Sequence, residues 1–419
     1  MPTSALRYRD FRLLWLGQTV SMAGSAASRV AVPLVAVTAL NASSFTMGLL
    51  HAAAWVPWLA VGLPAGAWVD RLPRRPVLFW CNAFSAVLLL LTTAAAWWEF
   101  LTIQQLLLTA LLTGVANVFF TTAYTAYVPT LLPAKALMDG NAKLQLSEST
   151  ADLAAPGAAG LLVQAGGATL GFLSDGLSFL VSAALLRRIR AREGPPAGTG
   201  RRSLGREIRE GIAFLRGNPF LRAVAWCDAG MNLFLSGTQA LVVVFLSRTV
   251  GLTAGAIGLL FGLVCLGGVA GAALAPRLSR QLGSTPRAFL WCAVLGTPFG
   301  LLVPLTSGGA GLLAFVIGDF CLTASIAAGN VLAVSFRQTH CPADMLGRVS
   351  TSMRFLVYGT IPVGSLLGGA LGTAWGDRGA LWVLYGGATV CALLLLRAPI
   401  GRGSGSPGPT APARSVPAP

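Results

Sequence analysis

Residues 46–75 read TMGLLHAAAWVPWLAVGLPAGAWVDRLPRR. The first 24 of these residues include no Asp, Glu, Lys or Arg, whereas the last six include one aspartate and three arginines. About 20 consecutive apolar residues are enough for a helix to cross the hydrocarbon core of a bilayer. Because arginines favour the cytoplasmic end of such a helix, the stretch predicts a transmembrane helix that ends in a basic cytoplasmic loop.

The same alternation of apolar segment and loop continues on both sides of this stretch. It defines twelve segments, here called spans 1 to 12, near residues 12–40, 46–69, 76–98, 103–126, 143–165, 168–187, 219–247, 255–275, 287–306, 310–335, 349–372 and 379–396. Of the 30 Lys and Arg residues, all but Arg29, Arg248 and Arg378 lie in alternate loops or near the two ends. This bias predicts a multi-pass protein of the cytoplasmic membrane with both termini in the cytoplasm.

The composition argues against several other classes of protein. With 55% hydrophobic and 11% charged residues, the chain has no polar stretch long enough to bury a soluble core. Its net charge of +16 would suit nucleic acid, but the basic residues are scattered over loop ends, so no nucleic-acid partner is expected. The seven cysteines are dispersed and form no Cys-x-x-Cys pair, so no metal or cofactor site is expected. The sequence has no Walker-type loop, so neither ATP-driven transport nor an enzyme is expected.

The chain divides into two halves. We expect a bundle of six helices at 1–187, a cytoplasmic central loop at 188–218, a second six-helix bundle at 219–397 and a disordered tail at 398–419. Within the loop, Leu204, Ile208 and Ile212 recur at helical spacing among arginines, which predicts an amphipathic helix on anionic membrane lipids. Similar motifs recur 206 to 210 residues apart, and such repeats point to a transporter with its site between the halves.

Residues 66–75, GAWVDRLPRR, resemble the loop 2–3 signature of the major facilitator superfamily, with Pro73 where a glycine is usual. The segments YVP at 127–129, SDG at 174–176 and LGR at 346–348 resemble its branch of drug-type proton antiporters, which includes macrolide-efflux and enterobactin-exporter proteins. The resemblance implies an all-α fold of twelve transmembrane helices in two pseudo-symmetric six-helix bundles. It also implies a monomer that binds a small-molecule substrate and protons.

Two motifs have implied roles in this family. Pro156 and Gly160 in span 5 resemble the antiporter helix motif, although Ala155 stands where a glycine is expected, and Pro362 and Gly364 are placed similarly in span 11. Asp70 lies at the C-terminus of span 2, where the helix dipole disfavours a carboxylate. The family pattern implies a latch between Asp70 and the N-terminus of span 11, closing the cytoplasmic side in the outward-open state. The remaining latch residues are Gly66, which permits close approach, and Arg71, Arg74 and Arg75, which bond across the seam or, as the alternative, only set the topology.

Charged residues inside a bilayer are costly and therefore mark functional candidates. Arg29, Asp228 and Asp319 lie in spans that line the central cavity in this family, and Arg29 is expected to pair with either aspartate or with an anionic group. Glu148 and Asp152 are four residues apart on one helical face, with solvent exposure as the alternative. Asp175 suits a packing role, and His51 a neutral buried state or a proton relay. The remaining candidates for the pathway are Asn117, Tyr124, Asn232 and Gln239.

The sequence as a whole predicts a secondary active transporter that exports a small drug-, antibiotic- or siderophore-like molecule, by proton antiport and alternating access. A uniporter or lipid-type transporter without proton coupling is the alternative within transport, and Ala155 is the residue that favours it. A membrane scaffold or sensor that transports nothing is the alternative from another class. The intramembrane charges argue against it, because a scaffold has no need of them.

Overall fold

A computed structural model describes residues 4–69, 71–191, 213, 216–217, 219–341 and 343–397. These residues are almost entirely helical and contain no strand. Nine segments within them are long and apolar enough to cross a membrane. The amphipathic helix predicted for the central loop and the tail at 398–419 lie outside the described residues.

The first half contains spans 1 to 6. Its helices are Arg9–Thr38, Ser44–Ala60 with Gly62–Val69, Arg74–Trp97, Ile103–Leu131 and Ala134–Arg187. Span 2 is divided into two helices because Pro64 has no N–H to donate to the carbonyl of Ala60. The last helix holds spans 5 and 6, and Gly167, whose φ is +74°, makes the turn between them.

The second half contains spans 7 to 12. Its helices are Pro219–Val244 with a π-turn at Phe245–Thr249, Ala254–Gln281, Thr285–Gly296 with a 3-10 continuation at Thr297–Leu305, Leu312–His340 and Ala343–Leu394. The last of these holds spans 11 and 12, and Gly376 turns the chain between them with φ 74° and ψ 159°. The turns at Gly167 and Gly376 fall in the short loops that the sequence predicts.

Local side chains begin several of these helices. A helix starts with unpaired backbone N–H groups, and a Ser or Thr just before it can accept one of them. Ser43 does this for Thr46, Thr253 for Ala256 and Ser284 for Arg287. Thr102 and Gln105 form a reciprocal capping box at the start of span 4. The starts of spans 2, 4, 8 and 9 are therefore encoded locally.

Small residues let the helices of each half approach closely. In the first half, Gly17 and Gly24 of span 1 lie against Ser182 and Ser178 of span 6. In the second half, Gly237 of span 7 lies against Gly364 and Gly368 of span 11. A side chain at these positions would collide with the neighbouring helix, which is the usual reason for glycine at helix contacts in membranes.

The two ends of the bundle differ in how the halves meet. We call the end that carries Arg71, Arg75, Arg187 and Arg280 the basic face, and the end that carries Arg248 the opposite face. Near the opposite face one hydrophobic cluster joins both halves, including Leu34, Ala159, Leu241 and Leu260. Near the basic face each half has a cluster of its own, so the described cores of the two halves are separate there.

Candidate functional site

A cavity of about 350 Å³ lies between the halves. Spans 2, 7, 9, 10 and 11 contribute to its wall, so both halves take part. Among its lining residues are His51, Trp55, Asp228, Asn232, Gln239, Phe289, Ser325, Asn330 and Tyr358. Three of the residues predicted for the pathway are therefore together, namely Asp228, Asn232 and Gln239. Their spacing of four and seven residues places them on one face of span 7.

Aromatic rings join span 2 to span 11 beside this cavity. Tyr358 meets Trp55 edge-on with ring centroids 5.3 Å apart, and it meets Trp58 in the same manner at 5.1 Å. Edge-to-face pairs at these distances are favourable beyond the area they bury. These rings could not be identified as part of a site from the sequence, because nothing near Trp55 in the chain indicates a partner some 300 residues away.

His51 is fixed by a bond that also crosses between the halves. Its Nδ1 lies 2.7 Å from the Oγ of Ser365, and that hydroxyl donates its own hydrogen to the carbonyl of Ile361 at 2.7 Å. Since the hydroxyl hydrogen is used, Nδ1–H of His51 is assigned as the donor to Ser365. The bond fixes the orientation of the ring in the wall of the cavity, so His51 joins the site.

The polar side of the cavity is built by span 7 and its neighbours. The side-chain amide of Asn232 donates to the backbone carbonyl of Asp228 at 2.9 Å, and this bond holds the amide one helical turn from Asp228. Asp228 interacts electrostatically with Arg337 of span 10. Its cationic neighbour therefore comes from the same half.

The expected pairing of Arg29 with Asp228, Asp319 or an anionic group stays a prediction. Arg29 is exposed and interacts electrostatically with Asp175, which also accepts a hydrogen bond from Ser25 at 3.1 Å. Asp175 lies on span 6, which packs against span 1. Asp175 is 4% exposed and has the packing role that the sequence suggested.

Asp319 lies deeper than the cavity. It precedes Ile326 by seven residues and Asn330 by eleven on span 10, so it shares their helical face about two turns closer to the opposite face. It interacts electrostatically with Tyr385, which also interacts with Thr238. Within the described part of the chain, no hydrogen-bond donor or cation is paired with the Asp319 carboxyl group. The structure thus separates Asp319 from Asp228.

The candidates of the first half lie outside the lining of this cavity. Asn117 is exposed and accepts from Thr121 at 3.4 Å. Tyr124 stacks on Phe120 with centroids 5.8 Å apart and interacts electrostatically with Glu148. Glu148 is exposed, which agrees with the predicted alternative of solvent exposure. Asp152 and Pro156 lie in the helix Ala134–Arg187, and their side chains are outside the described part of the structure.

The predicted latch between Asp70 and the start of span 11 stays a prediction, because most side chains at that helix start lie outside the described part of the structure. Asp70 lies outside the described residues, and no described atom comes within 4 Å of the position of a Cβ on Gly66. Arg75 was expected to bond across the seam, but its described hydrogen bonds go to the carbonyls of Leu186 and Arg187, at 3.1 and 2.5 Å. Both carbonyls end span 6 of the same half, where a cation is favoured by the helix dipole.

The antiporter-like motif lies where the halves touch. A Cβ on Gly160 would be 2.6 Å from the carbonyl oxygen of Ala254, closer than non-bonded atoms come. Gly364 instead lies against Leu233 and Ser236 within its own half. Gly160 therefore allows span 5 to approach span 8 of the other half near the opposite face.

The model of the family described as Major Facilitator Superfamily matches residues 14–360. The chain belongs to the Major Facilitator Superfamily. Membership makes it a transporter of a small-molecule substrate. No curated protein matches this superfamily member in sequence.

Solved structures of superfamily fold agree over nearly the whole chain. The nucleoside transporter NupG superposes with a TM-score of 0.75 at 12% identity, covering 93% of this chain and 99% of its own. A bacterial homologue of the human lysosomal transporter Spinster, inward-facing and unoccupied, gives 0.70 at 15%, covering 93% and 96%. At such identities these likenesses show the fold alone.

A third structure bears on the arrangement of the halves. A bacterial homologue of the iron transporter ferroportin gives a TM-score of 0.74 in its inward-facing state, at 17% identity and covering 94% of this chain and 99% of its own. In the outward-facing state the score falls to 0.61, at 17% identity with 93% and 98% covered. The chain thus fits the inward-facing state of that homologue better than its outward-facing state, and its own described halves meet near the opposite face.

Proposed function

We propose that the protein exports a small amphiphilic molecule from the cytoplasm in exchange for protons, by alternating access. The observation that carries the proposal is the separation of two carboxyl groups within one half. Asp228 lines the cavity between the halves, whereas Asp319 lies about two turns deeper beside Tyr385. In this proposal Asp228 meets the substrate and Asp319 carries the proton.

The cavity supports a substrate of this kind. A volume of about 350 Å³ is at the lower end of the range for sites that bind drug-sized molecules. Trp55, Phe289 and Tyr358 supply apolar surface, while Asp228 and the ring of His51 supply a few polar contacts. A molecule with an aromatic or aliphatic body and one donor or cationic group would match both the apolar surface and the polar contacts of the cavity.

Asp319 supports the coupling to protons. We assign the proton to Asp319, because an ionised carboxylate without a cation or donor among the described residues is very costly inside a protein. Exchange requires that the proton be released when span 10 and its neighbours take the other arrangement. Export as the direction of transport rests on the resemblance to the drug-type branch.

Ethidium efflux from proteoliposomes tests the proposal. An imposed proton gradient is expected to drive ethidium out against its concentration, and a protonophore to stop it. Asp319→Asn should bind ethidium but lose the driven efflux, and Asp228→Asn should lose binding. Glu99→Gln, at an exposed position in the loop between spans 3 and 4, is the matched control and should behave as wild type.

A uniporter without proton coupling is the second candidate function, because Ala155 stands where the antiporter motif has a glycine. It predicts downhill ethidium flux that a protonophore leaves unchanged and that Asp319→Asn does not alter. That result would overturn proton coupling while leaving transport itself established.

A further inference from the structure

A second groove lies on the basic face, outside the central cavity. It has a volume of about 810 Å³ and runs between the start of span 3 and the end of span 6. Its lining residues are Pro73, Arg75, Pro76, Phe79, Trp80, Arg187, Arg190 and Ala191. None of the functional candidates in the central cavity contributes to it.

The charge of the groove is positive. Three of its lining residues are arginines and none is acidic. In the described structure the guanidinium groups of Arg187 and Arg190 have no hydrogen-bond or ion-pair partner, and both residues are exposed. The nearby Asp10 accepts from the backbone N–H of Arg190 at 3.3 Å and from Arg9 at 3.5 Å. The guanidinium groups of Arg187 and Arg190 can therefore bind an anion.

Arg75 sets the shape of the groove. Its guanidinium bonds to the carbonyls of Leu186 and Arg187, which fixes the end of span 6 beside the start of span 3. The helix of span 3 begins at Arg74, so the positive end of its dipole also faces this region. The groove is therefore held open by bonds that do not depend on a ligand.

The aromatic wall places the groove at the membrane surface. Trp80 is 68% exposed, and its ring meets Phe79 edge-on at 5.2 Å. At 1.5 Å per residue, Trp80 lies about 7.5 Å deeper than Arg75 along span 3. Each headgroup layer of a bilayer is about 5–7 Å thick, so arginines at the phosphate level put Trp80 at the edge of the hydrocarbon. Tryptophan is enriched at that depth.

We propose that this groove is a binding site for an anionic glycerophospholipid, with the phosphate between Arg187 and Arg190 and an acyl chain along Trp80 and Phe79. Bidentate hydrogen bonds from arginine suit a phosphate diester. The apolar rings favour a lipid over a free anion, because only a lipid covers them. The site lies away from the transport cavity and is independent of which molecule is transported.

The experiment uses the full-length protein in detergent, titrated with dioctanoyl phosphatidylglycerol while the midpoint of thermal unfolding is followed. The double variant Arg187→Gln/Arg190→Gln should bind the lipid about 10-fold more weakly, because it loses two charge-assisted contacts. The matched control is Arg277→Gln/Arg280→Gln, which removes two exposed arginines, also three residues apart, from the basic face of the other half. The control should bind as wild type.

Two further arms separate the sources of the anion and guard against a variant that fails to fold. Phosphatidylcholine and inorganic phosphate should each leave the unfolding midpoint of the wild type unchanged. Trp80→Leu keeps all charges and should weaken phosphatidylglycerol binding about threefold through lost aromatic contact. Equal weakening by the two arginine pairs would show diffuse attraction and overturn the site. A response to inorganic phosphate equal to that of the lipid, or none to the lipid, would overturn it as well.

Discussion

The two ends of the contact between spans 2 and 11 are built differently. At the opposite face, Ser44 donates to Asp377 at 2.6 Å, and a Cβ on Gly48 would lie 2.9 Å from the Cα of Gly369. At the basic face, a Cβ on Gly66 would have no described atom of another helix within 4 Å. One end is closed by glycine contact and one hydrogen bond, whereas the described part of the other end shows no such contact and carries the charged motif.

This difference between the two ends shows how spans 2 and 11 can support two arrangements of the halves. The closed end needs small residues, because the backbones touch there. The open end has charges that can remain in water until the seam closes. Between the ends, Tyr358 contacts Trp55 and Trp58, and Leu59 lies against Gly359. We expect the two halves to rotate about this middle region, because it is in contact while only one end is closed.

The largest effect is expected at the closed end from Gly48→Val. The added side chain meets the backbone of Ser365 and Gly369, which cannot move aside as a flexible side chain could. Overpacking of this kind costs up to about 3 kcal/mol, roughly a 100-fold shift toward the arrangement that is open at the opposite face. Spin labels at Ala39 and Trp375 should report a longer distance. Gly62→Val is the control, since Gly62 meets only Trp58 at 4.0 Å. An unchanged distance in Gly48→Val would contradict the closed end.

Asp70→Asn should shift the same equilibrium in the other direction. It removes the charge of the predicted latch, which would be formed only when the basic face closes. Loss of a carboxylate at a helix N-terminus is worth about 1–2 kcal/mol, roughly a 10-fold shift toward the inward-facing form. The labels at Ala39 and Trp375 should then report only the short distance, and efflux should fall. If transport and label distance both matched the wild type, there would be no latch.

Asp377→Asn should have a smaller effect at the closed end. The amide can still accept from Ser44, so only the charge-assisted part of the bond is lost. We expect about 1 kcal/mol, a shift of about fivefold away from the inward-facing form. Ser44→Ala removes the same bond from the other side and should give a similar shift. A change confined to one of the two variants would show that the bond is not the cause.

The smallest effect concerns a bond within one half of the basic face. Asp139 accepts from the backbone N–H of Ala5 at 2.7 Å and from Lys143 at 3.1 Å, and these bonds hold the pKa of its carboxyl group below the ordinary value of 3.8. The stability it adds is therefore present at neutral pH and is lost only as the pH falls below 3.8.

Hydrogen exchange of the amide of Ala5 measures this bond. Asp139→Asn should speed exchange at pH 7 without changing the label distance at the opposite face. The difference from wild type should shrink once the wild-type carboxyl group is protonated. A change in the label distance would mean that this bond joins the halves after all.

The length and order of the spans were predictable because apolar segments and basic loops alternate so regularly. The turns at Gly167 and Gly376 were predicted because a gap of a few polar or small residues interrupts the apolar pattern. The division of span 2 was not, since the pattern alone does not show whether Pro64 bends a helix or ends it. Span 8 extends to Gln281 rather than ending near 275, because its polar end continues into water as helix.

The site was predictable only where it lies on one helix. Asp228, Asn232 and Gln239 share a face of span 7, and that spacing is visible in the sequence. The bond between His51 and Ser365 joins residues 314 positions apart, for which no local pattern exists. The interaction of Arg29 with Asp175 is likewise not visible in the sequence, since it depends on which side of span 1 faces span 6.

Gly167 and Gly376 are 209 residues apart, and each reverses the chain with a φ of +74°. The internal duplication is thus still seen in these two torsion angles, although the surrounding sequences differ. Glycine alone adopts such a φ readily, so each hairpin depends on a single residue that cannot be replaced without strain. An inserted epitope would be tolerated far better at the chain ends than at either hairpin.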